Sequence, residues 1–165
     1  MLPTRQPFVP DDFLVPSSLE TPEFRLRMLT VHDLIKDFDA VMSSVEHLKF
    51  VWPHADWPES LTLEQNLVDL GWHQKEFQNR SSFAYAVTDL ADKRELGCVY
   101  VNPSKKRGYD AVIYLWARQS VLASGLEDRL LTTVRVWLAS HWPFRNAALP
   151  GRDITWDDWN ALPAA

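Results

Sequence analysis

The sequence predicts an α/β (α+β) domain in which a mixed, mainly antiparallel central sheet is flanked by helices. Three consecutive strand patterns are separated by short turns, which is typical of an antiparallel meander. A glycine turn at Gly125 and an amphipathic helix then follow the third strand. The chain has 165 residues, of which 46% are hydrophobic and 24% are charged, and this is enough for one well-packed core.

Hydrophobic periodicity defines the elements of this domain, because a period of two indicates a strand and a spacing of three or four indicates a helix. In chain order it predicts a strand over 24–28, helices over 31–44 and 62–79, strands over 82–88, 95–101 and 109–118, a helix over 126–141, a strand over 144–149 and a short helix over 155–162. Thr62 and Gln65 form a capping box at the start of the second helix. The strand over 109–118 is almost wholly apolar, so we expect it to be central and covered on both faces.

Residues 1–23 carry five prolines, and proline at this density prevents regular structure. We therefore predict an extended, proline-rich arm over 1–23 and one domain over 24–165. Phe8, Phe13 and Leu14 would attach the arm to the domain surface or to a second subunit, so a homodimer is one expectation.

Charge and cysteine content exclude several classes of protein. The formal net charge is −5 and the longest basic run is Lys105 to Arg107, which argues against a nucleic-acid partner. Cys98 is the only cysteine and the histidines lack metal-ligand spacing, so we expect neither a disulfide nor a metal site. The sequence shows neither a signal peptide nor an apolar run of membrane-spanning length, which predicts a cytoplasmic protein without a membrane partner.

The order strand, helix, helix, three antiparallel strands, helix, strand resembles the GCN5-related N-acetyltransferase (GNAT) superfamily over about residues 24–149. The resemblance implies a central strand that splays from its neighbour and hydrogen-bonds the pantetheine arm of acetyl-CoA. It also implies a turn, Arg/Gln-x-x-Gly-x-Gly/Ala, that wraps the pyrophosphate, since free amides and the helix dipole favour an anion at a helix start. The implied activity is transfer of an acetyl group from acetyl-CoA, the cosubstrate, to an amine of a small molecule or a peptide.

The pyrophosphate turn matches the family only in part. Gly125 matches the central glycine, whereas Leu122 replaces the first Arg or Gln and Glu127 replaces the last Gly or Ala. The carboxylates of Glu127 and Asp128 would compete with a pyrophosphate for the helix start. The resemblance assigns cofactor binding to the strand end, the turn and the helix start, namely Trp116, Ala117, Leu122, Ala123, Ser124, Gly125, Leu126 and Arg129.

Catalytic candidates are fewer. The family often uses a tyrosine after the third helix as an acid, but no tyrosine follows Tyr114 here. Tyr114 and His54 are therefore the catalytic candidates, with core packing as the alternative for Tyr114. The loop over 50–60 borders the acceptor site in the family. Its Trp52, His54, Asp56 and Trp57 are the predicted substrate contacts, since aromatic rings bind amines by cation–π contact and acids bind them by charge. An exposed His54 with no role is the alternative.

Two other functions remain open. A non-catalytic ligand-binding or protein-interaction module on the same fold is favoured by Leu122, by Glu127, by the missing tyrosine and by the short C-terminal part. An unrelated α+β domain with a chance glycine turn would lack the splayed strand pair.

Overall fold

A computed structural model describes residues 7–165 of the chain. Within this range one six-stranded sheet has the order β1 (Ser18–Glu20), β2 (Arg25–Met28), β3 (Phe83–Thr88), β4 (Glu95–Pro103), β5 (Ala111–Ala117), β6 (Ala147–Ala148). Neighbouring strands are antiparallel except β5 and β6, which are parallel. The predicted mixed, mainly antiparallel sheet and its central meander are confirmed.

Helices cover both faces of this sheet. They are α1 (Leu34–Met42), α2 (Val45–Val51), α3 (Leu63–Gln78), α4 (Leu126–His141) and α5 (Trp156–Ala161), with 3-10 turns at Val31–Asp33 and Gln119–Ser124. Helix α4 packs Leu130 and Val134 on one face, in a core that it shares with the arm. Helices α1 to α3 pack on the other face, where Val41 and Leu70 share a core with Trp116.

The helix predicted over 31–44 is present as the 3-10 turn at Val31–Asp33 and α1, but the helix α2 that follows was not predicted, and its last two residues lie in the region assigned to the loop over 50–60. The two helices are separated at Ser44, whose backbone leaves the helical region with φ −126° and ψ 17°. The buried hydroxyl of Ser44 accepts a hydrogen bond from the amide of Gln119 at 2.9 Å.

The arm is more regular than predicted. Ser18–Glu20 forms β1 against β2, so the expectation that prolines prevent regular structure throughout 1–23 was wrong there. The prolines flank this strand at Pro16 and Pro22 and none interrupts it, so each of its amides can take part in the ladder. The arm also packs on its own domain, since the Tyr85 hydroxyl donates to the Pro16 carbonyl at 2.7 Å. Residues 1–6 of the predicted arm lie outside the described residues.

Strands β5 and β6 pair only at their first residues. Ala111 and Val112 are in register with Ala147 and Ala148, and β5 then continues to Ala117 without a strand partner from β6. Because β6 ends at Ala148 and the chain then turns, β5 has no β6 partner from Ile113 to Ala117, beside the start of α4.

We predict opposite effects of alanine at two glycines. A Cβ at Gly97 in β4 would overlap the Trp116 carbonyl oxygen, so Gly97→Ala should destabilise the fold by about 3 kcal/mol. A Cβ at Gly71 in α3 would make an ordinary 3.8 Å contact with Val31, so Gly71→Ala should stabilise it by about 1 kcal/mol. Urea unfolding measures both changes, and a Gly97→Ala protein as stable as the wild type would contradict the β4–β5 packing.

Candidate functional site

The start of α4 is set by a left-handed residue. Gly125 has φ 77° and ψ 15°, a conformation that glycine adopts without strain, and it ends the 3-10 turn and begins the helix. Its amide donates to the Leu122 carbonyl at 2.9 Å, which closes the turn. The amides of the first turn of α4 have no helical acceptors, as at any helix start, and they are suited to an anion.

The free edge of β5 is held by two side chains of the protein itself. The Ala117 amide donates to a carboxylate oxygen of Glu127 at 3.0 Å. The Arg152 guanidinium donates to the Leu115 carbonyl at 3.2 Å. Both backbone groups lie in the half of β5 that has left β6, which is the edge that the resemblance assigns to pantetheine.

Glu127 is the centre of this arrangement. Its side chain is buried and lies 2.7 Å from Nε2 of His47 and 3.4 Å from Arg152. Burial alone would raise the pKa of Glu127, but the hydrogen bonds from His47 and the Ala117 amide and the charge of Arg152 bring this pKa below its ordinary value. Glu127 is therefore a carboxylate at neutral pH, directed at the β5 edge rather than at solvent.

The other residues assigned to cofactor binding differ in their exposure. Leu122 packs partly buried on the core, Leu126 is buried, and Ala123 and Ser124 are exposed. Arg129 is exposed and paired with Glu23 of the arm at 2.5 Å, so its guanidinium is already engaged.

Two side chains at the end of β5 face away from the turn. Trp116 is fully buried on the α1–α3 face, and its indole N–H lies 3.4 Å from the Tyr100 hydroxyl. Arg118 is also buried, and it donates to Asp39 of α1 at 2.9 Å, so it does not offset the acids of α4.

A cavity of about 390 Å³ lies on the α1–α3 face. Its lining is mostly aromatic, acidic and apolar, and consists of Leu29, Asp37, Val41, Trp52, Trp57, Asn66, Asp69, Leu70, Trp72, His73, Tyr100, Asn102 and Tyr114. The ring of Trp52 lies 5.4 Å from Trp57, 6.0 Å from Tyr100 and 5.9 Å from Tyr114, measured between centroids. Of the four predicted substrate residues, Trp52 and Trp57 line this cavity.

His54 and Asp56 lie elsewhere. Both are exposed on the loop between α2 and α3, and neither lines the cavity. The structure thus brings the two tryptophans of the loop together with Tyr114 and leaves His54 and Asp56 at the surface.

An acidic group that sequence analysis missed lies at one wall of the cavity. Asp37 of α1 is buried and accepts from the Asn66 side-chain amide at 2.7 Å. Glu95 and Cys98 of β4 are buried next to Asp37. The thiol of Cys98 donates a hydrogen bond to Glu95 at 2.9 Å. The register of β3 and β4 shifts between Val87 and Thr88, at the end of the ladder where Glu95 lies.

Burial sets the protonation of this group. It raises the pKa of Glu95 well above the ordinary value, and the neighbouring Asp37 raises it further. Burial also raises the pKa of Asp37, against hydrogen bonds from Glu95 and Asn66. We assign one shared proton to the pair, carried by Glu95, so that the negative charge stays on Asp37 at the cavity wall.

The ligand atoms of Asp37, Glu95 and Cys98 lie within 4.8 Å of one another, and these residue types bind metals. Burial raises the pKa of the Cys98 thiol and of Glu95, so both groups are protonated at neutral pH. A metal binds thiolate and carboxylate forms, so this protonation opposes metal binding.

Tyr114 of β5 lines the cavity. Its ring stacks on Trp156 with centroids 6.1 Å apart and an interplanar angle of 7°, and it faces Trp52 on the cavity side. Burial raises the pKa of Tyr114, so its hydroxyl keeps its proton at neutral pH. Arg152, which binds the β5 edge, precedes Trp156 in the same segment after β6.

No protein-family model matches the sequence, and no curated protein matches it significantly. Solved structures do match. The ribosomal-protein-S5-alanine acetyltransferase from Vibrio fischeri superposes with a TM-score of 0.59 at 14% identity, over 74% of this chain and 67% of that chain. A Salmonella typhimurium acetyltransferase that modifies the N-terminal serine of ribosomal protein L7/L12 gives a TM-score of 0.63 at 13% identity, over 80% and 73%.

The microcin C7 self-immunity acetyltransferase MccE, in complex with acetyl-CoA and AMP, gives a TM-score of 0.55 at 14% identity, over 77% of this chain and 69% of that chain. These likenesses establish the fold: the chain is a GNAT-fold protein, in which a glycine-started helix follows the central strand β5. In residues 7–165, moreover, no helix combines the length and hydrophobicity needed to cross a bilayer.

The protonation of Glu95 predicts a pH dependence of stability. A carboxyl whose pKa is raised on folding contributes stability below its unfolded pKa, with an ordinary value of 4.5, and loses it as pH rises towards the folded pKa. Glutamine in place of Glu95 has no proton to lose, so the stability of this variant does not decrease with pH for this reason. The advantage of Glu95→Gln over the wild type should therefore grow between pH 5 and 7, by up to about 1.4 kcal/mol per pH unit.

Urea unfolding at several pH values measures this advantage. Glu64→Gln, at an exposed carboxyl in the first turn of α3, is the matched control and should show no such growth. Parallel pH profiles of wild type and Glu95→Gln would contradict the assigned protonation.

Proposed function

We propose that the protein is an N-acyltransferase that transfers the acetyl group of acetyl-CoA to an amine bound in the aromatic cavity. One observation carries this proposal: the end of β5 that has no β6 partner lies between a glycine-started helix and a cavity lined by aromatic rings and carboxylates. The fold neighbours with acetyltransferase activity support it, although an identity of 13–14% establishes the fold alone for this chain.

The residues present fit acetyl-CoA in part. The first-turn amides of α4 after Gly125 would hold the pyrophosphate. The Leu115 carbonyl and the Ala117 amide would hold the pantetheine arm once the side chains of Arg152 and Glu127 leave them. When bound, acetyl-CoA supplies the acetyl group as a thioester.

The chemistry that remains is proton transfer. In the proposed reaction Asp37 would accept a proton from the bound ammonium group, and burial raises the pKa of this carboxyl, which favours its role as a base. As the amine nitrogen bonds the acetyl carbon and the carbon–sulfur bond breaks, the Tyr114 hydroxyl would donate its proton to the departing sulfur. The nitrogen would lose its second proton to the resulting tyrosinate, and Asp37 would release its own proton to solvent.

A non-catalytic amine-binding module is the second candidate, and one observation favours it. Glu127 and Arg152 already satisfy both backbone groups of the β5 edge, and Glu127 is itself satisfied by three partners. In this alternative the cavity binds its ligand while the free edge of β5 stays closed by these side chains.

Substitution of Glu127 separates the two candidates. Glu127→Ala removes a buried carboxylate from the proposed pantetheine edge, so it should raise the affinity for acetyl-CoA about tenfold in isothermal titration calorimetry. Asp128→Ala, at an exposed acid in the same turn, is the matched control and should change the affinity less than threefold. Undetectable binding of acetyl-CoA by the wild type and by Glu127→Ala would contradict the transferase.

The proposed acid gives a second test. Tyr114→Phe keeps the ring that stacks on Trp156 but removes the proton donor, so kcat should fall by 10- to 100-fold with KM for the amine nearly unchanged. Release of the CoA thiol measures this rate. Tyr109→Phe, on a ring that packs against Trp159, is the control and should keep full activity. An unchanged kcat for Tyr114→Phe would remove Tyr114 from the mechanism.

A further inference from the structure

The cavity on the α1–α3 face has the charge of a cation site. Two carboxylates, Asp37 and Asp69, are in its lining, which contains neither lysine nor arginine among the described residues. Burial lowers the pKa of His73, so this remaining basic group is neutral at neutral pH. A ligand that enters therefore meets net negative charge, which favours a protonated amine and opposes a carboxylate.

The remaining lining has the shape and chemistry for an aromatic ring. Trp52 makes edge or tilted contacts with three other rings around the cavity, and the apolar side chains of Leu29, Val41 and Leu70 complete the wall. Such rings bind a cation over their faces and pack well against another aromatic group. The volume of about 390 Å³ is at the lower end of the range for small-molecule sites.

Side-chain amides are few in this cavity. The amide of Asn66 is engaged with Asp37, and the neutral polar groups that remain in the lining include Asn102, His73 and the hydroxyls of Tyr100 and Tyr114. A peptide brings an N–H and a C=O for each residue, and burial of these groups without partners is costly. A volume of about 390 Å³ with this limited set of partners therefore suits a compact amine better than a peptide chain.

From these three observations we infer that the cavity binds arylalkylamines, that is, primary amines on a short alkyl chain with an aromatic ring and without a carboxylate. The ammonium group lies between Asp37 and Asp69, and the ring lies against Trp52 and Trp57. This inference names the acceptor class of the proposed acyl transfer, and the binding itself does not depend on acetyl-CoA.

Binding is tested with four probes in the absence of acetyl-CoA, by isothermal titration calorimetry at pH 7.5. The expected ligand is 2-phenylethylamine. Phenylalanine adds a carboxylate, 2-phenylethanol lacks the charge, and trialanine offers a peptide with a free amino terminus. We expect each of these three to bind at least tenfold more weakly than 2-phenylethylamine. Equal or tighter binding of phenylalanine, 2-phenylethanol or trialanine would overturn the inference.

Two variants locate the site. Asp69→Asn removes a charge from the partly exposed rim of the cavity and should weaken the binding of 2-phenylethylamine at least fivefold. Asp56→Asn removes the same charge from the exposed loop outside the lining and should weaken it less than twofold. Trp57→Leu keeps an apolar side chain but removes the ring, and should also weaken it at least fivefold. If Asp56→Asn and Asp69→Asn changed the affinity for 2-phenylethylamine equally, or if Trp57→Leu left this affinity unchanged, the amine would bind outside this cavity.

Failure of this inference and failure of the transferase are distinguishable. Binding of 2-phenylethylamine without thiol release in the presence of acetyl-CoA would support the amine site and overturn the transferase. Thiol release with trialanine, without binding of 2-phenylethylamine, would support the transferase and overturn the arylalkylamine assignment.

Discussion

The hydrogen bond between the Glu127 carboxylate and the Ala117 amide joins the parts on which the site depends. It ties the start of α4 to the free edge of β5, and through His47 and Arg152 the same carboxylate reaches α2 and the segment after β6. Because this carboxylate is buried and charged, the loss of any one of its three partners weakens the compensation of its charge. Glu127 therefore holds these elements together as well as occupying the free edge of β5.

This arrangement makes the two halves of the site different. The amine cavity is open and already shaped by its rings, whereas the proposed pantetheine edge is satisfied by the protein's own side chains. Acetyl-CoA would have to exchange its hydrogen bonds for those of Glu127 and Arg152. The amine can bind without such an exchange. Binding of the amine and binding of acetyl-CoA to the proposed transferase would therefore have different energetic costs.

Local pattern predicted much of the fold from sequence. The meander, α4 and the left-handed turn at Gly125 follow from periodicity and from glycine's tolerance of positive φ. The inward turn of Glu127 depends on a partner far along the chain, His47, so local pattern could not predict it. The pairing of Asp37 with Glu95 likewise joins α1 to β4. The one signal for it in the sequence is that each acid lies within a helix or strand predicted to pack on the core.

In the proposed transferase, acetyl-CoA and the side chain of Glu127 compete for the Ala117 amide. The most direct measurement is an NMR titration of ¹⁵N-labelled protein with acetyl-CoA, observed at the amides of Ala117 and Gly125. Both resonances should shift together with one dissociation constant, and Glu127→Ala should lower this constant. Saturating acetyl-CoA that leaves the Ala117 and Gly125 amides unchanged would contradict this competition.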